Sequence, residues 1–331
     1  MIRNLVSISA LVALVACGDG SPFNNDVTDS DDGTSSDIPE EIASSVTGFT
    51  YNPGEGTMTL SGTLRDGDEV TSTFFRQAAL DSGPYQAYTL QDDPLDEHTT
   101  VYVRTVADVT AGVAVTGGQF TYYSGGANYG RSGGFEAAPV SEANDTGLVT
   151  YSGEYVGLTN LNGPENDTLP ITDPDIDVNS IIIPRQAGVV TGNVIINVSF
   201  DDNNLAGAIT DRRVNSKVFG EFNVSDLVLV PTELTSDGTF VGEVELPFNR
   251  IDVGGYGGVI GSNQGEALAG GIFAEDHFDD TLDDAGVPII DPVTGAQAAI
   301  AGEEEFGIFV LGRCGGASED TSAVCDIVDP L

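Results

Sequence analysis

The chain of 331 residues has one lysine, Lys217, and no tryptophan, with only two histidines, two methionines and three cysteines. Lys and Arg together number 11 against 52 Asp and Glu, a formal net charge of −41. A field of that sign repels phosphate backbones and anionic headgroups, so nucleic acid is excluded as a partner. So few Cys and His cannot be read as a zinc framework, and neither a metal nor another cofactor is expected. Long Ala/Leu/Glu/Lys stretches are missing, which argues against a helical fold, and no apolar run approaches the ~20 residues that span a bilayer.

What is abundant points to strands. The 42 glycines and 15 prolines punctuate alternating Val, Ile, Thr and Tyr, a period-two pattern that buries one face of each strand and reverses at turn residues. The acidity has two readings: a hydrated surface, screened in salty water, or a docking face for a basic partner.

Residues 1–17 carry Arg3, an apolar run from Leu5 to Ala16 relieved by Ser7 and Ser9, and then Cys17. This is the layout of an export signal. Leu14-Val15-Ala16-Cys17 resembles the lipobox of bacterial lipoproteins, which implies acylation of Cys17 and cleavage before it. Several acyl chains, at about 0.8 kcal/mol per buried methylene, make such an anchor permanent. Gly18 stands where an aspartate resembles an inner-membrane retention signal, so an outer-membrane position facing the cell exterior is expected. Residues 18–43 open with the acidic, small-residue stretch Gly18 to Glu41 and read as a disordered leash of roughly 25–30 Å typical span. With Cys17 assigned, Cys314 and Cys325 are expected to pair in the oxidising space outside the cytoplasm, closing a tail over 314–331.

Two β-rich regions follow the leash. The first, 44–135, has strands expected at Met58 to Leu64, Thr99 to Val106 and Val113 to Tyr123, and a short helix within Phe74 to Leu95. After a linker over Glu136 to Gly147, the second occupies 148–313. Its strands are expected at Leu148 to Leu158, Val189 to Phe200, Leu205 to Thr210, Lys217 to Val230, Thr239 to Pro247, Tyr256 to Ile260, Ala267 to Phe273 and Phe306 to Leu311. Eight such strands suit an antiparallel barrel, which removes exposed edges, with Phe200, Phe240 and Phe273 expected to fill its interior.

The second region carries Tyr151-Ser152-Gly153-Glu154-Tyr155-Val156-Gly157, then Gly188 to Phe200 followed by Asp201 and Leu205-Ala206-Gly207, then Phe240-Val241-Gly242. Gly257 to Gly261 and the run Gly265 to Phe273, in which Glu266 precedes a Gly-Gly/aromatic strand, complete the series. In these stretches it resembles the β-barrel domain of transferrin-binding protein B and the related factor-H-binding proteins. The resemblance implies an all-β chain, a small handle-like N-terminal domain before an eight-stranded antiparallel barrel. It also implies a surface lipoprotein that captures an extracellular protein or nutrient carrier. Binding through loops at one end of the barrel, with delivery to an outer-membrane receptor, is the mechanism expected to go with it. The family has two lobes where this chain has room for one, so transferrin is not carried over and no ligand-contact residue is assigned. The other reading is a shielding or periplasm-facing lipoprotein without a specific ligand.

No catalytic residue is assigned, and an enzyme is not expected. Gly130-Arg131-Ser132-Gly133-Gly134 formally matches a nucleophile elbow, but no helix follows and only His98 or His277 could act as base, so a turn is expected. Asp173 to Asn179 alternates oxygen ligands like the start of a calcium loop, yet Val178 replaces the turn glycine and Pro184 the bidentate glutamate. The acids from Glu275 to Asp284 and the run Glu303-Glu304-Glu305 are expected to be solvated.

Overall fold

The computed structural model of the chain describes residues 38–63, 69–117, 124–139, 147–164, 166–178, 183–217, 220–278 and 302–327. The expected signal peptide with Cys17, and the leash as far as residue 37, lie outside them. Two antiparallel sheets make up the body.

The first sheet is a meander of seven strands: β1 (Val46–Asn52), β2 (Thr57–Thr63), β3 (Glu69–Arg76), β4 (Gln86–Leu90), β5 (His98–Val106), β6 (Val109–Gly117) and β7 (Gly125–Arg131). It curls until β7 nearly meets β1, where the Ser45 N–H donates to the Gly125 carbonyl at 3.0 Å. Phe49, Met58, Phe74, Tyr88, Val101 and Val103 fill the inside of the curl. The helix expected between Phe74 and Leu95 is a single 3-10 turn at Ala78–Leu80, because Phe74 lies in β3.

The second sheet comprises β8 (Leu148–Asn162), β9 (Ala187–Ser199), β10 (Asn204–Ser216), β11 (Gly220–Asn223), β12 (Leu227–Glu233), β13 (Thr239–Glu245), β14 (Asp252–Ile260), β15 (Ala267–Glu275) and β16 (Glu304–Gly312). Its strands pair in chain order and β16 returns to β8, closing an eight-stranded barrel with β11 as a supernumerary piece. The single strand expected over Lys217 to Val230 is therefore two. β11 pairs with the far half of β10, from Arg213 to Ser216, and β12 with its near half, Asn204 to Ile209. Between the halves, Asp211 adopts a left-handed backbone (φ 52°) and the β9–β10 register slips from Thr210 to Arg213. Such a bulge reverses the inward and outward alternation, and it turns Arg212 into the interior.

Alternation along β8 and β16 assigns the two faces. Tyr151, Tyr155, Phe309 and Leu311 point into the barrel, whereas Val156, Leu158, Phe306, Ile308 and Val310 point out and join the first sheet's Tyr85, Tyr102, Val113 and Ala127 in one buried layer. Phe200 and Phe240 belong to the interior, but Phe273 does not: it sits one residue out of phase with Ile272 and packs at a tilt against Phe306 outside, centroids 5.1 Å apart. Polar bonds cross the same layer. Arg104 donates to the Val310 carbonyl at 2.7 Å and pairs with Asp320, and the Tyr85 hydroxyl donates to the Glu154 carbonyl at 2.7 Å. Glu40–Ala43, which composition places in the leash, form one helical turn instead, because Ile42 finds this layer and is fully buried.

One barrel end is plugged. Phe135, just past β7, stacks on Phe200, and the Cys314–Cys325 disulfide, Cα atoms 4.9 Å apart, folds the tail back so that the Cys314 N–H reaches the Thr150 carbonyl at 2.9 Å. The connections β8–β9, β10–β12, β13–β14 and β15–β16 all lie at the opposite end.

Candidate functional site

The loop-bearing end has two parts: a charged cluster inside the barrel and apolar side chains on the loops outside. The cluster draws on strands far apart in sequence. Arg212 enters from the β10 bulge, Tyr155 from β8, Glu303 from the residue just before β16, Glu305 from its start, and His277 from the residues just after β15. Arg212 Nη2 donates to Glu305 Oε2 at 2.5 Å, His277 Nε2 lies 3.0 Å from that oxygen, and the Tyr155 hydroxyl donates to Glu305 Oε1 at 2.5 Å. Arg212 Nη1 donates to the Ser225 carbonyl at 2.5 Å, and Glu303 Oε1 accepts the Phe278 N–H at 2.6 Å.

Arg212, His277, Glu303 and Glu305 have no solvent-exposed side-chain surface. This overturns the expectation that Glu303 and Glu305 are solvated. The strand alternation that separates adjacent acids leaves Glu304 partly exposed and directs its two neighbours inward. Burial by itself would raise the Glu305 carboxyl, but the Arg212 guanidinium, His277 and the Tyr155 hydroxyl outweigh it and hold it at about 2. Glu303 has no such cation in bonding contact, and burial pushes it up to about 7. His277 is driven down by burial and by Arg212, against the pull of Glu305. His277 Nδ1, Glu303 Oε2 and Arg212 Nε have no hydrogen-bond partner among the described residues. Among those residues no group of three or more His, Cys, Asp or Glu is disposed to hold a metal ion.

The other motifs lie apart from this cluster. Ser132 follows β7 in a turn, its N–H on the Asp108 carbonyl at 2.9 Å. His98 is buried with Nε2 3.0 Å from Asp167, so each histidine already faces a carboxylate away from that turn. Asp173 caps its own loop by accepting the Asp175 N–H at 2.9 Å, while Asn179 lies outside the described residues, as do Asp279 to Asp284.

Above the cluster, at the tip of the β13–β14 hairpin, Phe248 is 100% exposed and Ile251 51%. Leu169 and Val178, also exposed, lie on the β8–β9 connection at the same end. No sequence signal separates these apolar loop residues from core residues, since only closure of the barrel shows which positions are left outside.

No family model matches the chain, and no curated protein matches it. Solved structures do. The chain is similar to transferrin-binding protein B. Against the intact two-lobed protein designated Ap-TbpB it is 11% identical with a TM-score of 0.37, over 80% of this chain and 53% of that one. Against isotype 1 transferrin-binding protein B from serogroup B Neisseria meningitidis the identity is 10% and the TM-score 0.32, over 81% and 52%. A structure described as a surface lipoprotein matches over 79% of this chain and 100% of its own, at 12% identity and a TM-score of 0.32. The chain thus spans about half the length of these two transferrin-binding proteins.

Proposed function

We propose that this is a lipid-anchored outer-membrane lipoprotein, facing the cell exterior, that binds an extracellular protein or nutrient carrier through the loop-bearing end of its barrel. The observation that carries this reading is Phe248, a wholly exposed aromatic ring on a hairpin tip, with Ile251 beside it and two more exposed apolar residues on a loop of the same end. Scattered surface apolar residues are ordinary, but an aromatic at a protruding tip supplies the kind of anchor that dominates protein interfaces. The barrel wall beneath is braced by the Arg212–Glu305 pair and by the first sheet, so the tip is presented from a rigid base. The lipobox at Cys17 and the acidic leash support a tethered position outside the cell, and passage of cargo to an outer-membrane receptor fits that position.

The test uses intact cells expressing the full chain. Protease added outside should cleave the body while a periplasmic control survives, and labelled secreted proteins of the growth medium should bind these cells saturably. Phe248→Ser with Ile251→Ser should abolish that binding without lowering surface display. Protection from the protease, or saturable binding indifferent to both substitutions, would sink the proposal.

A further inference from the structure

The first sheet has a gap in one wall with a cavity behind it. β2 and β3 pair along seven positions, from Thr57–Phe75 to Thr63–Glu69, whereas β3 and β4 pair only at Phe75–Thr89 and Arg76–Tyr88. β4 ends at Leu90 and the chain turns away through a loop held by Asp93, whose carboxylate accepts the Leu95 N–H and whose carbonyl accepts the Asp96 N–H. The stretch of β3 from Glu69 to Phe74 therefore runs past the end of its neighbour.

Backbone direction shows what that edge offers. The Arg76 N–H donates to the Gly56 carbonyl on the β2 side, and the Gln77 N–H to the Ala87 carbonyl on the β4 side. By alternation the N–H and C=O groups of Thr71 and Thr73 face the gap, and among the described residues they have no partner there. Both residues are exposed. Directly inside lies a cavity of about 140 Å³ bounded by Val70, Ser72 and Phe74 of β3, Leu90 at the end of β4, and Glu97 and Thr99 before and within β5. It occupies the place into which an inward side chain of a longer β4 would point.

We infer that this gap receives an extended peptide, which pairs with Thr71 and Thr73 in the position of a longer β4 and buries one apolar side chain in the cavity. A cavity of about 150 Å³ admits a benzene-sized group, so the space suits one Leu or Phe side chain and is too small for an acyl chain or a macrocycle. Main-chain hydrogen bonds would supply affinity and the pocket selectivity, as in other strand additions. Phe75, 61% exposed on the outer face of β3 next to Thr73, gives an outward side chain of the same peptide an apolar neighbour. The net charge of −41 favours basic residues flanking the anchor. The site is separate from the barrel loops and does not depend on their role.

Fluorescence anisotropy of labelled Lys-Thr-Val-Leu-Val-Thr-Lys, titrated with the full chain in detergent, reads the inference. Saturable binding is expected, lost when the central Leu is replaced by Asp. Thr73→Pro removes the edge donor without touching the β2 ladder, and Ser72→Leu fills the cavity. Each should weaken binding roughly tenfold or more at unchanged circular dichroism, and Ser72→Leu serves if the proline variant does not fold. The inference is overturned by absence of saturable binding, or by equal affinity in the folded variants. It is also overturned if sedimentation shows that Thr73→Pro converts a dimer to a monomer, since a second copy would then occupy the edge.

Discussion

Arg212 and Glu305 meet inside the barrel at 2.5 Å, 93 residues apart in sequence and both wholly shielded from water. The pair joins β10 to β16 across the interior, with the Tyr155 hydroxyl donating to Glu305 Oε1 and His277 Nε2 3.0 Å from Oε2. Removing one partner of such a pair leaves a buried charge without compensation. Arg212→Met should lower unfolding free energy by about 3–5 kcal/mol, whereas Arg212→Met with Glu305→Leu should lose much less. Urea denaturation of the two variants decides the matter, and equal losses would contradict it.

The same cluster sets a pH response with two limbs. A free glutamate ionises near 4.3. Glu303, at about 7 in the fold, stays protonated where the unfolded chain has released its proton, so stability falls as pH rises from roughly 4.3 to 7. Glu305, held at about 2, contributes stability above roughly 4.3 that is lost as pH falls towards 2. His277 acts against Glu303, because a histidine held neutral loses stability as pH falls through its ordinary range. The difference between wild type and Glu303→Gln isolates the first limb: nearly equal at pH 4, with the variant gaining relative stability up to pH 7. A flat difference would show that Glu303 ionises normally.

Gly270 makes room for the ring of Phe309, its partner on the neighbouring strand β16. A Cβ there would stand 2.4 Å from Phe309 Cζ and 2.4 Å from the Gly257 carbonyl oxygen. Gly270→Ala should cost about 1–3 kcal/mol. Adding Phe309→Leu should restore only part of it, since the carbonyl belongs to a paired strand and cannot move aside. Thermal melts of both variants test this.

The Cys314–Cys325 bridge closes a short loop, the two cysteines standing 11 positions apart in sequence, that also carries Asp320 to Arg104. Chain entropy alone gives a stabilisation of about 3 kcal/mol. Replacing both cysteines by serine should show a loss of that order in urea, and no change would mean that the tail is held by its polar contacts.

Cys17→Ser should abolish incorporation of labelled palmitate and release the chain from the membrane fraction. Retention in that fraction would show anchoring by another part of the chain.

The sequence by itself determined the strand content and the barrel. Period-two runs from Leu148 to Leu311 mark the eight wall segments, because each must present one face to a core, and two of three cysteines were free to pair. The roles of single residues were decided only by tertiary structure. Glu303 and Glu305 look like any solvated acids until closure of the barrel fixes which alternate positions point inward. Arg212 reaches them only because a bulge shifts its phase, and Phe273 turns outward because it is out of phase with Ile272. Phe248 lies just past the strand expected to end at Pro247, and its full exposure is seen only in the folded chain. Hydrophobic periodicity is a local property of each strand; which face becomes the interior depends on how distant strands pair, and no local pattern encodes that.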